Sequence, residues 1–193
     1  MRRTAVLGAG ALAAGALVAA GLTVRRARLE PMLVKGGSMR PTLEPGHRIA
    51  VAPLVRPPHR GDLVVVGRSR STGAPPWGSP DPSEDLEVVK RVVGLPGERV
   101  RLAGGRLEVD GQELPEPYLA GRRGPGNPEG VPRWIGPTAG ELDLELGPAQ
   151  YLVLGDHRAA STDGRDFGPV GADALLGRVR FAYWPPRRLR GRG

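Results

Sequence analysis

The chain opens on an unbroken apolar block, Thr4 to Val24, and then changes character. From about residue 30 the apolar positions come in short β-type runs with turn residues between them. Met32–Lys35, His47–Val55, Asp62–Gly67, Glu87–Val93, Glu98–Leu102, Arg106–Val109, Tyr151–Leu154 and Leu176–Tyr183 all read as strands. Asp110-Gly111 is a tight-turn pair of the kind that closes a hairpin. This rhythm predicts a mainly β, antiparallel domain. Two stretches interrupt it, about 69–85 and 120–140, both rich in Pro and Gly, and both predict surface insertions. With aromatics at 4% the core must be aliphatic, and 30 Gly plus 21 Pro keep its elements short.

As a helix, Thr4–Val24 would span roughly 31 Å, the thickness of a bilayer's hydrocarbon core. Arginines bracket it at Arg2, Arg3, Arg25, Arg26 and Arg28. One uncleaved transmembrane helix is the favoured reading over a cleaved secretory signal or a buried helix. The run is longer than a usual signal core, and arginines follow it at once. The expected organisation is a membrane anchor at 1–28, a catalytic domain at 29–186 and a basic tail at 187–193, in a chain of 193 residues.

The net charge of +8 invites a nucleic-acid reading, but its position argues against one. Five arginines flank the apolar block, and Arg187, Arg188, Arg190 and Arg192 end the chain. Setting those nine aside leaves 19 basic residues against 20 acidic ones in the body. The expected partner of the basic flanks is membrane lipid, and no nucleic acid is expected. The absence of cysteine excludes disulfides, thiolate metal sites and cysteine nucleophiles. His47 and His59 lack metal-ligand spacing, so no metal and no cofactor is expected.

Three clusters carry candidate chemistry. In Lys35-Gly-Gly-Ser-Met-Arg-Pro-Thr-Leu, Gly36 and Gly37 let the backbone bend or approach a ligand, and Ser38 follows directly. A serine hydroxyl is a poor nucleophile without an adjacent base. In Val88-Val-Lys-Arg-Val-Val-Gly-Leu-Pro-Gly-Glu, Lys90 stands out. Of 28 basic residues only Lys35 and Lys90 are lysines. Arginine cannot surrender its proton in a protein, whereas a desolvated lysine can. Val88, Val89, Val92 and Val93 are the apolar neighbours that such desolvation needs. Lys35 is the rival base, disfavoured because its odd offset from Ser38 puts the two side chains on opposite faces of an extended chain. In Gly155-Asp-His-Arg-Ala-Ala-Ser-Thr-Asp-Gly-Arg, the residues Asp156, Arg158, Asp163 and Arg165 alternate in sign, which suits an ion-pair network fixing a loop. Ser161 could orient a neutral lysine. A Ser38–His157–Asp156 or Asp163 triad is a further, less favoured arrangement.

In this order, Ser-Met-x-Pro-Thr-Leu, Lys-Arg-Val-x-Gly-Leu-Pro-Gly-Glu and Gly-Asp-x-Arg-x-x-Ser-x-Asp-x-Arg resemble the type I signal peptidases, membrane-anchored serine–lysine endopeptidases. The resemblance implies two coiled antiparallel sheets, Ser38 as nucleophile, Lys90 as general base and Ser161 as the serine that orients the lysine. It places Asp163 and Arg165 on a structural ion pair, and Asp156 and Arg158 on a supporting loop. Gly36, Gly37 and Met39 fall beside the oxyanion and substrate-binding positions. The implied substrates are exported preproteins, bound as extended strands and cut after their signal peptides through an acyl-enzyme. The catalytic domain would lie outside the cytoplasm. His157 stands where the family usually has Asn, Gly164 where it usually has Ser, and Gly36 where some members carry a Ser. Alternatives are a maturation protease dedicated to one exported protein, a LexA-like autopeptidase, and an inactive membrane-tethered binding domain.

Overall fold

The computed structural model describes residues 29–69, 76, 87–119 and 141–185. The expected anchor, most of the first insertion, the whole of the second and the basic tail lie outside those residues. Among the described residues no helix is long and apolar enough to cross a membrane.

Among the described residues eleven strands form: β1 (Glu30–Leu33), β2 (Arg48–Pro53), β3 (Leu63–Val66), β4 (Val88–Gly94), β5 (Arg99–Ala103), β6 (Arg106–Val109), β7 (Gln112–Glu113), β8 (Leu142–Glu145), β9 (Gln150–Leu154), β10 (Val170–Gly171) and β11 (Leu175–Trp184). One turn of α-helix, α1 (Gly164–Phe167), lies between β9 and β10, preceded by a 3-10 turn at Arg158–Ala160. Each of the eight expected strands is present, its ends within two residues of the expected ones. The mainly β expectation therefore holds. Three short strands and α1 are additions. Of these only β8 carried a readable signal, the alternation Leu142-Asp-Leu-Glu beside the second insertion.

The strands build a seven-stranded sheet in the order β1-β2-β11-β3-β4-β9-β10 and a four-stranded sheet in the order β7-β6-β5-β8. Neighbours pair antiparallel throughout, from Glu30↔Val51 at one edge to Val170↔Tyr151 at the other. Asp110 and Gly111 take positive φ at 50° and 78°, the two left-handed residues that a two-residue hairpin between β6 and β7 requires.

The central strand β3 is buried on both faces, so its alternation feeds two cores rather than one. Leu63 and Val65 face a cluster with Met39, Leu43, Ile49 and Val89. Val64 and Val66 face another with Val92, Tyr151 and Val153. A third core holds the small sheet, with Val100, Leu102 and Leu107 packing on Val93 and Leu154. Strand β4 contributes to all three through Val89, Val92 and Val93. It is the most enclosed strand beside β3, and it is the one that carries Lys90.

Candidate active site

Lys90 sits mid-strand in β4, opposite Val64 of β3, and is 2% exposed. Of the four valines named as its apolar neighbours, Val89, Val92 and Val93 are buried and Val88 is half-buried. Its ammonium group donates a hydrogen bond to Ser161 Oγ at 2.9 Å. Burial pulls the pKa of this amine down from 10.5 to about 8. The carboxylates of Asp163, Asp166 and Asp156 pull it back up, while the Arg165 guanidinium helps to lower it. Desolvation is the largest of these effects. Lys35, by contrast, lies beyond the end of β1 and is exposed.

Ser38 follows β1 on a turn closed by the Arg40 N–H donating to the Gly37 carbonyl and the Leu43 N–H donating to that of Met39. Met39 and Leu43 anchor this turn in the core, at 1% and 0% exposed. Ser38 itself is half-buried and faces a groove of about 580 Å³. The groove is walled by apolar side chains, among them Met32, Val34, Met39, Val65, Val89 and Leu176, with Gly36 and Lys35 near Ser38. One of its walls is β1, an outer strand of the large sheet.

The third cluster joins the other two. The His157 N–H donates to the Ser38 carbonyl at 2.9 Å, so His157 enters the site through its backbone. Gly155 lies where the three segments converge. A methyl group there would sit 2.7 Å from the Ser38 carbonyl oxygen and 2.6 Å from Ser161 Cβ, with Ser161 Oγ nearer still. Only a residue without Cβ lets the Ser38 turn and Ser161 close on the same point.

Asp163 is fully buried and N-caps α1, in a reciprocal capping box with Asp166. Arg165 Nε bonds its carboxylate at 2.8 Å, and so does the Gly155 N–H, also at 2.8 Å. Burial works to raise this carboxyl's pKa, but the Arg165 and Gly155 hydrogen bonds, the Arg165 charge and the Ser161 hydroxyl together hold it below the usual range. A methyl group on Gly164 would lie 2.8 Å from the Val153 carbonyl oxygen. The tight seat of α1 on β9 thus accounts for glycine at that position.

The expected ion-pair network is only half local. Asp163 pairs with Arg165, two residues away. Asp156 and Arg158 do not pair with each other. Asp156 takes both Arg91 Nε at 2.8 Å and Arg91 Nη2 at 2.7 Å, and also accepts from the Thr42 hydroxyl. Arg158 pairs with Glu116. Sequence reading therefore missed Arg91, Thr42 and Glu116 as members of the network. It also missed Tyr118, whose ring lies 3.8 Å from Arg91 Cζ. With Asp156 held by Arg91, and Asp163 by Arg165 and Gly155, both acids of the alternative triad are engaged elsewhere. Arg91 and Asp156 are each 1% exposed. Asp156→Ala is expected to cost about 3–5 kcal/mol in urea unfolding, because it strands a buried guanidinium.

Comparison with known proteins bears on what this arrangement does. The family described as "Signal peptidase, peptidase S26" matches residues 7–184. The chain is 33% identical to a signal peptidase I of Leptolyngbya laminosa over 179 residues, covering 91% of this chain and 78% of the relative. It is 31% identical to a signal peptidase I of Bacillus amyloliquefaciens over 182 residues, covering 90% of this chain and 83% of the relative. A solved signal peptidase I from Enterococcus faecalis V583 is 26% identical, aligning over 65% of this chain and 99% of that one with a TM-score of 0.49.

Proposed function

The chain belongs to the signal peptidase family, peptidase S26, and is a serine endopeptidase that cleaves signal peptides; from that premise we propose which of its residues do the chemistry. Ser38 is the nucleophile and Lys90 the general base. The preprotein lies extended along the outer edge of β1, adding a strand to the large sheet, with small side chains before the cut seated between the apolar walls of the groove. Neutral Lys90 takes the Ser38 proton as Oγ attacks the scissile carbonyl. The amine then returns that proton to the leaving nitrogen, and afterwards activates the water that splits the acyl-enzyme. Ser161 holds the amine in place through its hydroxyl. The backbone N–H of Ser38, presented by the Gly36-Gly37 turn, receives the oxyanion, a role that falls to it more fully because Gly36 has no hydroxyl.

The observation that carries this reading is the burial of Lys90 against Ser161. An amine at the ordinary lysine value is charged and useless as a base near neutrality, whereas one near 8 is neutral in a usable fraction. We infer further that residues 4–24 anchor the enzyme in the membrane with its catalytic domain outside the cytoplasm, where leader peptides emerge. Anchoring confines enzyme and substrate to one plane and raises their effective concentration.

The test is cleavage, in detergent, of a preprotein carrying Ala-x-Ala before its cut. Ser38→Ala and Lys90→Arg are expected to abolish processing, and Lys35→Ala to leave most of it. Equal loss in Lys35→Ala moves the base to Lys35, and retained processing in Ser38→Ala removes the serine mechanism. The pH profile is a second check. The protonated amine cannot accept a proton, so kcat/KM should rise about tenfold per pH unit below about 8 and level off above it. A limb near 6.5, in the range of an imidazole rather than an amine, would remove Lys90 as the base.

A further inference from the structure

We propose that Glu116 and Tyr118 are positioning residues for the Lys90–Ser161 pair, clasping the segment 155–158 from outside both sheets; the proposal rests on the reading of Lys90 as the base. Residues 115–119 follow the end of the β6–β7 hairpin and belong to no strand, yet Tyr118 and Leu119 are buried and Glu116 keeps only 10% of its side chain exposed. Burial without strand pairing means that side-chain contacts hold this segment in place.

Those contacts converge on one short stretch. The Glu116 carboxylate accepts from Arg158 Nη1 at 3.1 Å, from Arg158 Nη2 and from the Tyr118 hydroxyl. Arg158, in turn, donates through Nε to the Gly155 carbonyl at 3.0 Å. The Tyr118 ring covers the Arg91 guanidinium at 3.8 Å, which grips Asp156 with two of its nitrogens. Two buried arginines thus hold successive residues, Gly155 and Asp156, and each arginine is itself held by one member of the clasp.

Gly155 is the residue against which both Ser161 and the Ser38 carbonyl are packed. If Glu116 or Tyr118 is lost, an arginine loses a partner and the segment relaxes. Ser161 then drifts from Lys90 Nζ and water reaches the amine. The groove stays intact, because its walls come from β1, β3, β4 and their neighbours and include no residue of the clasp. The consequence is a loss in kcat rather than in KM. The charged groups that act on Lys90 are Asp163, Arg165, Asp166 and Asp156. All four remain in the variants below, so a change in the pH profile reports on position and hydration.

The experiment uses the full chain in detergent with the same preprotein, rates being normalised to folded enzyme by near-ultraviolet circular dichroism. Glu116→Gln and Tyr118→Leu are expected to lower kcat about tenfold while KM stays within about twofold. In both, the acid limb should move up from about 8 toward the ordinary lysine value. Tyr118→Phe keeps the ring over Arg91 and should remain within about threefold of the parent with its limb in place. Should Tyr118→Leu fail to fold, Glu116→Gln, which keeps volume and an acceptor for Arg158, decides alone. Unchanged kcat and an unmoved limb in the folded variants overturn the proposal, as does a loss confined to the amount of folded protein. A parent enzyme with no limb near 8 sinks the assignment of Lys90 and the clasp with it. A parent limb that the variants leave unmoved sinks the clasp alone.

Discussion

Lys90→Met is expected to abolish cleavage and at the same time to stabilise the protein at pH 6. The activity loss should reach at least about a thousandfold, the scale seen when one member of a catalytic unit is deleted. The stability gain follows from the depressed pKa. Burial pulls the folded amine down to about 8 from the ordinary lysine value of 10.5. Below pH 8 it is charged in both states, and the folded state bears the whole cost of burying that charge. The difference amounts to about 3 kcal/mol. Methionine fills the same space without charge but leaves Ser161 Oγ without its donor, a loss of about 1 kcal/mol. The net expectation is a gain of about 2 kcal/mol at pH 6.

The sign with pH is the opposite of a salt-bridged lysine. Between about 8 and 10.5 the unfolded chain holds the proton that the folded chain has released, so the stability of the parent rises across that window. The advantage of Lys90→Met should therefore be largest below pH 8 and shrink toward pH 10.5. Paired urea titrations of parent and variant at pH 6 and 9 measure this directly. A variant less stable than the parent at pH 6, or an advantage that does not change with pH, would mean that the amine is not desolvated.

Gly155→Ala should produce the second large effect, with a milder cost in stability. The added methyl meets a backbone carbonyl at 2.7 Å and the stem of a short side chain at 2.6 Å, neither of which is the yielding end of a flexible group. The turn that bears Ser38 and the strand-like segment that bears Ser161 must move apart. Overpacking of this kind costs about 1–3 kcal/mol. A misplacement approaching 1 Å at the reacting atoms costs about a hundredfold in rate. Single-turnover kinetics should place the loss in the chemical step, whereas KM reports the untouched groove. The same methyl on Gly36 meets nothing within 4 Å and serves as the steric control for folding. Full kcat in Gly155→Ala would show that Ser38 and Ser161 are not held against one another at this residue.

These two predictions divide along a line that runs through the whole molecule. The strands were legible because a pleated chain alternates its side chains regardless of which strand lies beside it. The hairpin at Asp110-Gly111 was legible because positive φ is a local demand. The ion pairs of the third cluster were not. Alternating signs at Asp156, Arg158, Asp163 and Arg165 suggested one closed network, but Asp156 reaches Arg91, 65 residues away, and Arg158 reaches Glu116, 42 residues away. Charge sign says that a partner is needed without saying which, and a guanidinium is satisfied by whatever carboxylate the fold carries to it. Tyr118 gave no sequence signal at all, since an aromatic residue after a hairpin reads equally well as loop or core.

Residue type and order belonged to the chain alone: a serine on a double-glycine turn, a lysine in a protein that otherwise writes its positive charge as arginine, and short apolar runs able to make a β core. Whether that lysine could lose its proton was a matter of surroundings. Three separate cores had to close around β4, and Ser161 had to come within 2.9 Å of Nζ, before the amine's pKa fell to about 8. Desolvation is created by the atoms that displace water, and in this protein they come from segments far apart along the chain.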